Sequence, residues 1–187
     1  MADTALYFIA ILPPKPIAER VIAIKQEFAD RFQSEYALKP PPHVTLQAPF
    51  ILLKEDAENL KKALLLFFNR FSPFEIRFSG FGSFANRSNP VIFIQPLENE
   101  IMAVIHKSLM LFLRKIGFDE ESTRLKFNPH MTVAYHDLTH ENFQKAWPEF
   151  QERGFEADFA VEKIYLMKHD GKRWNPEAGF ELSARSF

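Results

Sequence analysis

The chain has 187 residues, 47% hydrophobic and 25% charged, which suffices for a sizeable core in one compact unit. Its 23 Lys and Arg against 24 Asp and Glu leave a net charge of −1, so no global basic field exists to hold a long nucleic-acid duplex. With no cysteine at all, disulfides, thiolate nucleophiles and Cys-based zinc sites are excluded. The apolar runs fall short of the roughly 20 residues of a membrane span. The N-terminus lacks the basic stretch of a secretory signal, so a cytoplasmic location is expected.

In chain order, a strand is expected over Tyr7 to Leu12, stopped by Pro13 and Pro14, and then a helix over about Ile17 to Phe32. The segment Leu38-Lys39-Pro40-Pro41-Pro42-His43-Val44-Thr45-Leu46 follows. A helix over about Glu55 to Phe71 and strands around Phe74 to Ser79 and Gly82 to Phe84 come next. Then the first pattern recurs: a strand over Val91 to Gln95, a stop at Pro96, a helix over about Glu98 to Ile116, and Leu125-Lys126-Phe127-Asn128-Pro129-His130-Met131-Thr132-Val133. A last helix spans about His140 to Arg153, capped by Asp137 or Thr139. A strand over about Val161 to Met167, a turn at Asp170 and Gly171, and a returning strand ending near Gly179 to Ser183 close the chain. This order predicts an α+β protein, residues 1–187 forming a single domain of two pseudo-symmetric lobes around a central cleft, each a mainly antiparallel sheet backed by helices.

The shared end of the two copies is LKxxPHxTx, 87 residues apart. Six histidines and five threonines would place only about 0.2 HxT triplets in such a chain by chance. In a strand, side chains alternate faces, so His43 and Thr45 share one face while Val44 and Leu46 face the core; His130 and Thr132 stand likewise against Met131 and Val133. An imidazole titrates near neutrality, so one copy can act as base and the other as acid. Two threonine hydroxyls can donate to phosphate oxygens as charge rearranges. Such a set can cleave a phosphodiester by a scheme that requires no metal or other cofactor.

The chain resembles the two-histidine phosphoesterases, among them the 2′-5′ RNA ligase-like proteins and 2′,3′-cyclic phosphodiesterases. The resemblance rests on PHVTL at 42–46, PHMTV at 129–133, the strand-and-proline segments before them, and IYLMKHDGKRW from Ile164. It implies two lobes around a cleft, His43, Thr45, His130 and Thr132 as the catalytic set, and hydrolysis of cyclic or 2′-5′ phosphodiesters of nucleotides or RNA ends, with ligation as the reverse reaction.

Around this set, Lys39 and Lys126 stand four residues before each histidine, where a cation can attract phosphate. Arg124, Lys168 and Arg173 are further cationic candidates, and Tyr135 and Trp174 can stack on a base. A regular strand would turn Tyr135 away from the motif face, so its use requires the strand to twist or end there. Gln47 has Ala134 as its counterpart, so the two histidines need not play interchangeable roles. Segments Phe50 to Leu53, Phe84 to Asn89 and Lys168 to Trp174 are expected to be specificity loops. A small nucleotide or an RNA terminus is the expected substrate, bound by a monomer. Two other readings compete: a nucleotide-binding module without turnover, and a metal hydrolase on His130, His136 and His140, which lacks any HExxH or carboxylate-completed spacing.

Overall fold

Alternating apolar residues, broken by proline and glycine, build eight strands and four helices among residues 3–183, which this computed structural model describes. They are β1 (Thr4–Ile11), α1 (Lys15–Phe32), a 3₁₀ turn (Tyr36–Leu38), β2 (Val44–Leu53), α2 (Lys54–Phe68), β3 (Phe74–Phe84) and β4 (Val91–Pro96). Next come α3 (Glu100–Lys115), β5 (Met131–Ala134), α4 (His140–Phe150), β6 (Glu156–Val161), β7 (Lys163–His169) and β8 (Trp174–Glu181). Two four-stranded sheets result, ordered β2-β1-β7-β8 and β5-β4-β3-β6, with every pairing antiparallel. The fold is the expected α+β one, two pseudo-symmetric lobes with each motif strand, β2 or β5, at a sheet edge.

The lobes are not the two halves of the chain. Glu162 alone separates β6, in the second sheet, from β7, in the first, so the C-terminal hairpin completes the N-terminal sheet. The helices are exchanged as well: α1 packs on β5 and α3 on β2. Ion pairs Arg31–Glu149 at 2.6 Å and Arg153–Glu27 at 2.7 Å fasten α1 to α4 and the turn after it. On α1 the apolar residues Ile17, Val21, Ile24, Phe28 and Phe32 recur at helical spacing and are buried; each contributes about 1.5–3 kcal/mol relative to exposure. Both lobes therefore share one core.

Several boundaries differ from expectation for identifiable reasons. Helix α2 ends at Phe68 because Arg70 and Phe71 donate to carbonyls three residues back, tightening the chain out of the helix. Asn99 caps α3 by accepting from Met102 N at 2.9 Å, which starts the helix at Glu100. Thr139, not Asp137, caps α4, accepting from Asn142 N. The expected break at Gly80 is an irregularity inside one strand, β3, where Gly80 takes φ +65°. Phe50 to Leu53 is no loop: it is the second half of β2, paired with Thr4 to Tyr7 of β1. Strand β6 escaped notice because Val161 merges by sequence into the strand that follows.

Candidate active site

Pro42 and Pro129 lead directly into β2 and β5, so His43 and His130 sit immediately before the first paired residue of each edge strand. The two imidazoles are held alike. Nδ1 of His43 lies 2.7 Å from the Pro41 carbonyl oxygen, and Nδ1 of His130 lies 2.7 Å from that of Asn128. A carbonyl only accepts, so each Nδ1 carries the proton and each neutral ring presents Nε2 as a free base.

The strands also share an irregularity. Thr45 pairs with Ala10 and Gln47 with Ile9, leaving Leu46 as an extra residue; Thr132 pairs with Phe93 and Ala134 with Ile92, leaving Val133 extra. Each extra residue flips the alternation beyond it. Val133 and Ala134 are both buried, and Tyr135 returns to the cleft side.

His43, Thr45, His130, Thr132, Tyr135 and Trp174 line one cleft of about 240 Å³, together with Phe8, Lys25 and Val91. Among the described residues neither threonine hydroxyl is engaged by a protein partner. Phe8 packs on the His43 ring with centroids 4.8 Å apart, and Trp174 meets Phe8 edge-on at 4.6 Å. On the other side Phe84 and Phe93, packed on each other at 4.7 Å, form a wall beside the His130 ring at 5.2 and 5.4 Å. Gly82 makes room for that wall, since a Cβ there would lie 2.4 Å from the Phe93 ring. Burial pushes the His43 imidazole down to about 4, opposed by its bond to Pro41 and reinforced by the charges of Lys25 and His130. Burial also lowers His130, opposed by its bond to Asn128.

The other candidates are dispersed. Lys126 and Arg124 line an adjoining pocket of about 500 Å³ that shares Thr45 and His130 with the cleft. Lys39 is exposed, its ammonium 4.0 Å from the centre of the Tyr36 ring, and is not among the cleft-lining residues. Lys168 pairs with Glu177 at 3.6 Å, and like Arg173 lines neither space. His136 stacks on Tyr36 at 4.1 Å in a left-handed conformation, and His140 meets Gln144. With His130 they do not converge, and among the described residues no three acidic or imidazole groups do. His106 is buried against Phe127 in the adjoining pocket, its pKa lowered by burial to about 4.

Two residues were missed. Lys25, on α1, is 2% exposed and donates from Nζ to the Pro40 carbonyl at 3.0 Å; next to Ile24 in the helical pattern it reads as a flanking charge. Asp137 accepts from the Ser34 hydroxyl and from the Glu35 and Tyr36 amides, all at 2.8 Å. It thereby ties the end of β5 to the 3₁₀ turn, bringing Tyr36 edge-on to Tyr135 at 5.2 Å. Burial and the neighbouring Tyr36 and Asp137 charges raise the Tyr135 phenol to about 12.

The chain is similar to known proteins in sequence and in fold. Residues 13–173 match the family model of the 2′-5′ RNA ligase superfamily. A candidate phosphoesterase of Bacillus cytotoxicus is 26% identical over 182 residues, covering 95% of this chain and 97% of that one. One from Geobacillus kaustophilus is 28% identical, covering 86% of each. Among solved structures, TT0787 of Thermus thermophilus and E. coli LigT complexed with 3′-AMP each superpose with TM-score 0.69 at 19% identity, over 97% of this chain and 100% of theirs. The fold is theirs, and the chain belongs to the 2′-5′ RNA ligase superfamily of two-histidine phosphoesterases.

Proposed function

We propose that this protein hydrolyses 2′,3′-cyclic or 2′-5′ phosphodiesters of nucleotides or RNA ends, without a metal, with His43, Thr45, His130 and Thr132 as its catalytic residues. The observation that carries the reading is the matched Nδ1 bonds to Pro41 and Asn128, which leave two Nε2 atoms available at one cleft beside two unengaged threonine hydroxyls. The complexes of E. coli LigT with 3′-AMP, NADP+ and ATP support a nucleotide-sized ligand.

His43 is assigned as the base and His130 as the acid. The charge of Lys25 bears on His43 and favours its neutral form. In the reaction, His43 Nε2 takes a proton from water as the water oxygen bonds to phosphorus. The bond from phosphorus to a ribose oxygen breaks, and protonated His130 gives its Nε2 proton to that oxygen. The hydroxyls of Thr45 and Thr132 donate to the non-bridging oxygens. Proton exchange with solvent then resets the pair. Run backwards, the same steps join a 2′ oxygen to a phosphate. Tyr135 and Trp174 serve as base-stacking surfaces at the cleft rim.

The test is incubation with the four 2′,3′-cyclic nucleotides, cyclic-ended RNA and 2′-5′ oligoadenylates, with products separated by isomer. His43→Ala and His130→Ala should each lower turnover by roughly 10²- to 10⁴-fold with the fold intact, and EDTA should have no effect. Tight nucleotide binding without turnover would favour a binding module. Inhibition by EDTA, reversed by zinc, would move the chemistry to a metal.

The matched bulges and imidazole bonds also support the proposal that residues 1–187 form one domain made by internal duplication.

A further inference from the structure

Lys25 stands out among the buried polar groups because no described residue balances its charge. Among the described residues its ammonium meets no carboxylate; the Pro40 carbonyl is its one hydrogen-bond partner. Burying an unpaired ammonium is costly, and a lysine kept only to hold a carbonyl would be replaced at less cost by a neutral donor. The charge belongs to a cleft whose other titratable walls are His43, His130 and Tyr135, none of them an anion at neutral pH. Such an amine either sheds its proton or, while it stays charged, takes its counter-charge from what binds there.

Resting on the phosphodiester reading of the cleft, we infer that Lys25 is its anion anchor: one donor fastens the Pro40–Pro42 segment that carries His43, and the remaining donors bind the phosphate group between the histidines. The residue is thereby a specificity determinant, selecting an anionic phosphodiester over a neutral ester of the same shape. It also links substrate charge to catalyst position, because the segment it holds ends in the base.

Burial draws the Lys25 ammonium from its usual 10.5 down to about 7 in the free protein. Between about pH 7 and 10.5 the unfolded chain therefore holds a proton that the folded chain has released, and stability from this group rises with pH across that window. An anion in the cleft restores the proton, so anion binding should stabilise most below about pH 7 and fade above it.

The test uses the full chain, inorganic sulfate as a non-titrating probe, and two variants. Lys25→Gln keeps a donor for Pro40 without charge, and Lys25→Met removes both. Sulfate should raise the melting temperature of the wild type at pH 6, more than at pH 9, and this rise should vanish in both variants. KM for 2′,3′-cyclic nucleotides should increase about 10- to 100-fold in Lys25→Gln, with kcat changed less. An equal sulfate response and unchanged KM in Lys25→Gln would overturn the anchor and leave Lys25 as a clamp on Pro40, as would a wild type indifferent to sulfate. If sulfate acts through Lys25 but no phosphodiester is turned over, the anchor stands and the proposed activity falls.

Discussion

The two motif strands hold their histidines by the same device and surround them differently. On both, Nδ1 reaches the carbonyl two residues back, and an extra residue follows the threonine. Around them the resemblance stops: His43 has Phe8 tilted against its ring and the charge of Lys25 nearby, whereas His130 rests against a mutually packed pair, Phe84 and Phe93, and borders a second pocket with Arg124 and Lys126. Symmetry thus supplies the position of two like groups, and the asymmetry of their surroundings is the ground on which the proposed base and acid are told apart.

The two threonines give the sharpest way to break this comparison. Thr45→Val and Thr132→Val each remove one donor at a shape-conserved site and should lower kcat by about 10²- to 10³-fold. Equal losses would extend the symmetry to the transition state; a loss confined to one would show the phosphate held chiefly from one lobe. Single-turnover rates on a 2′,3′-cyclic nucleotide measure it.

The pH profile of kcat/KM reads the pair in the free protein. Activity should rise with pH through the His43 value of about 4, as the base loses its proton, and fall through the His130 value, which burial keeps below the ordinary 6.5. The optimum should therefore lie on the acid side of 6.5, with a loss of about tenfold per pH unit well above it. An optimum at pH 8 or higher would contradict the two lowered values.

Asp137 breaks the comparison differently, because its counterpart 87 residues earlier is Phe50, which has no carboxylate. Asp137→Ala strands the buried Ser34 hydroxyl and two amides and should cost about 2–4 kcal/mol in urea unfolding. Asp137→Asn, which keeps an acceptor, should cost less.

What could be read from sequence was whatever a local period carries. The strand–helix–motif copies, the facing of His43 with Thr45 and the apolar stripe of α1 all follow from spacings of two and 3.6 residues. Lys25 and Asp137 were not legible in this way, and Tyr135 only on condition that its strand departs from regularity, for three different reasons. Lys25 differs from a solvated helix lysine through the tertiary packing that buries it, the Pro40 carbonyl included. Asp137 works on residues about 100 positions earlier. Tyr135 reaches the cleft because one extra residue in β5 changes the parity of the strand, and such a bulge leaves no mark in the alternation of four residues. The same holds for Lys39 and Lys126: equal spacing before each histidine sent one to the Tyr36 ring and the other to the second pocket.

Gly82→Ala probes the Phe84 and Phe93 wall beside His130. A Cβ would fall 2.4 Å from the Phe93 ring and 2.7 Å from Gln95 Oε1, so the ring must turn from its place beside His130. A cost of about 1–3 kcal/mol in stability and a several-fold fall in kcat are expected; loss of stability with unchanged kcat would show that His130 does not depend on that wall.

The smallest effect is expected where the copies differ most plainly in sequence, at Gln47 opposite Ala134. Gln47 is buried and donates from Nε2 to the Ala48 and Ser122 carbonyls at 3.1 and 2.9 Å, while its Oε1 has no partner. In Gln47→Met the lost donations and the relieved acceptor act in opposite directions, each on the order of 1–3 kcal/mol. The net change in unfolding free energy should stay within about 1 kcal/mol, with catalysis unaltered. A larger loss accompanied by a raised KM would mean that the Gln47–Ser122 tie shapes the second pocket for substrate, and that the asymmetry between the lobes extends from the chemistry to recognition.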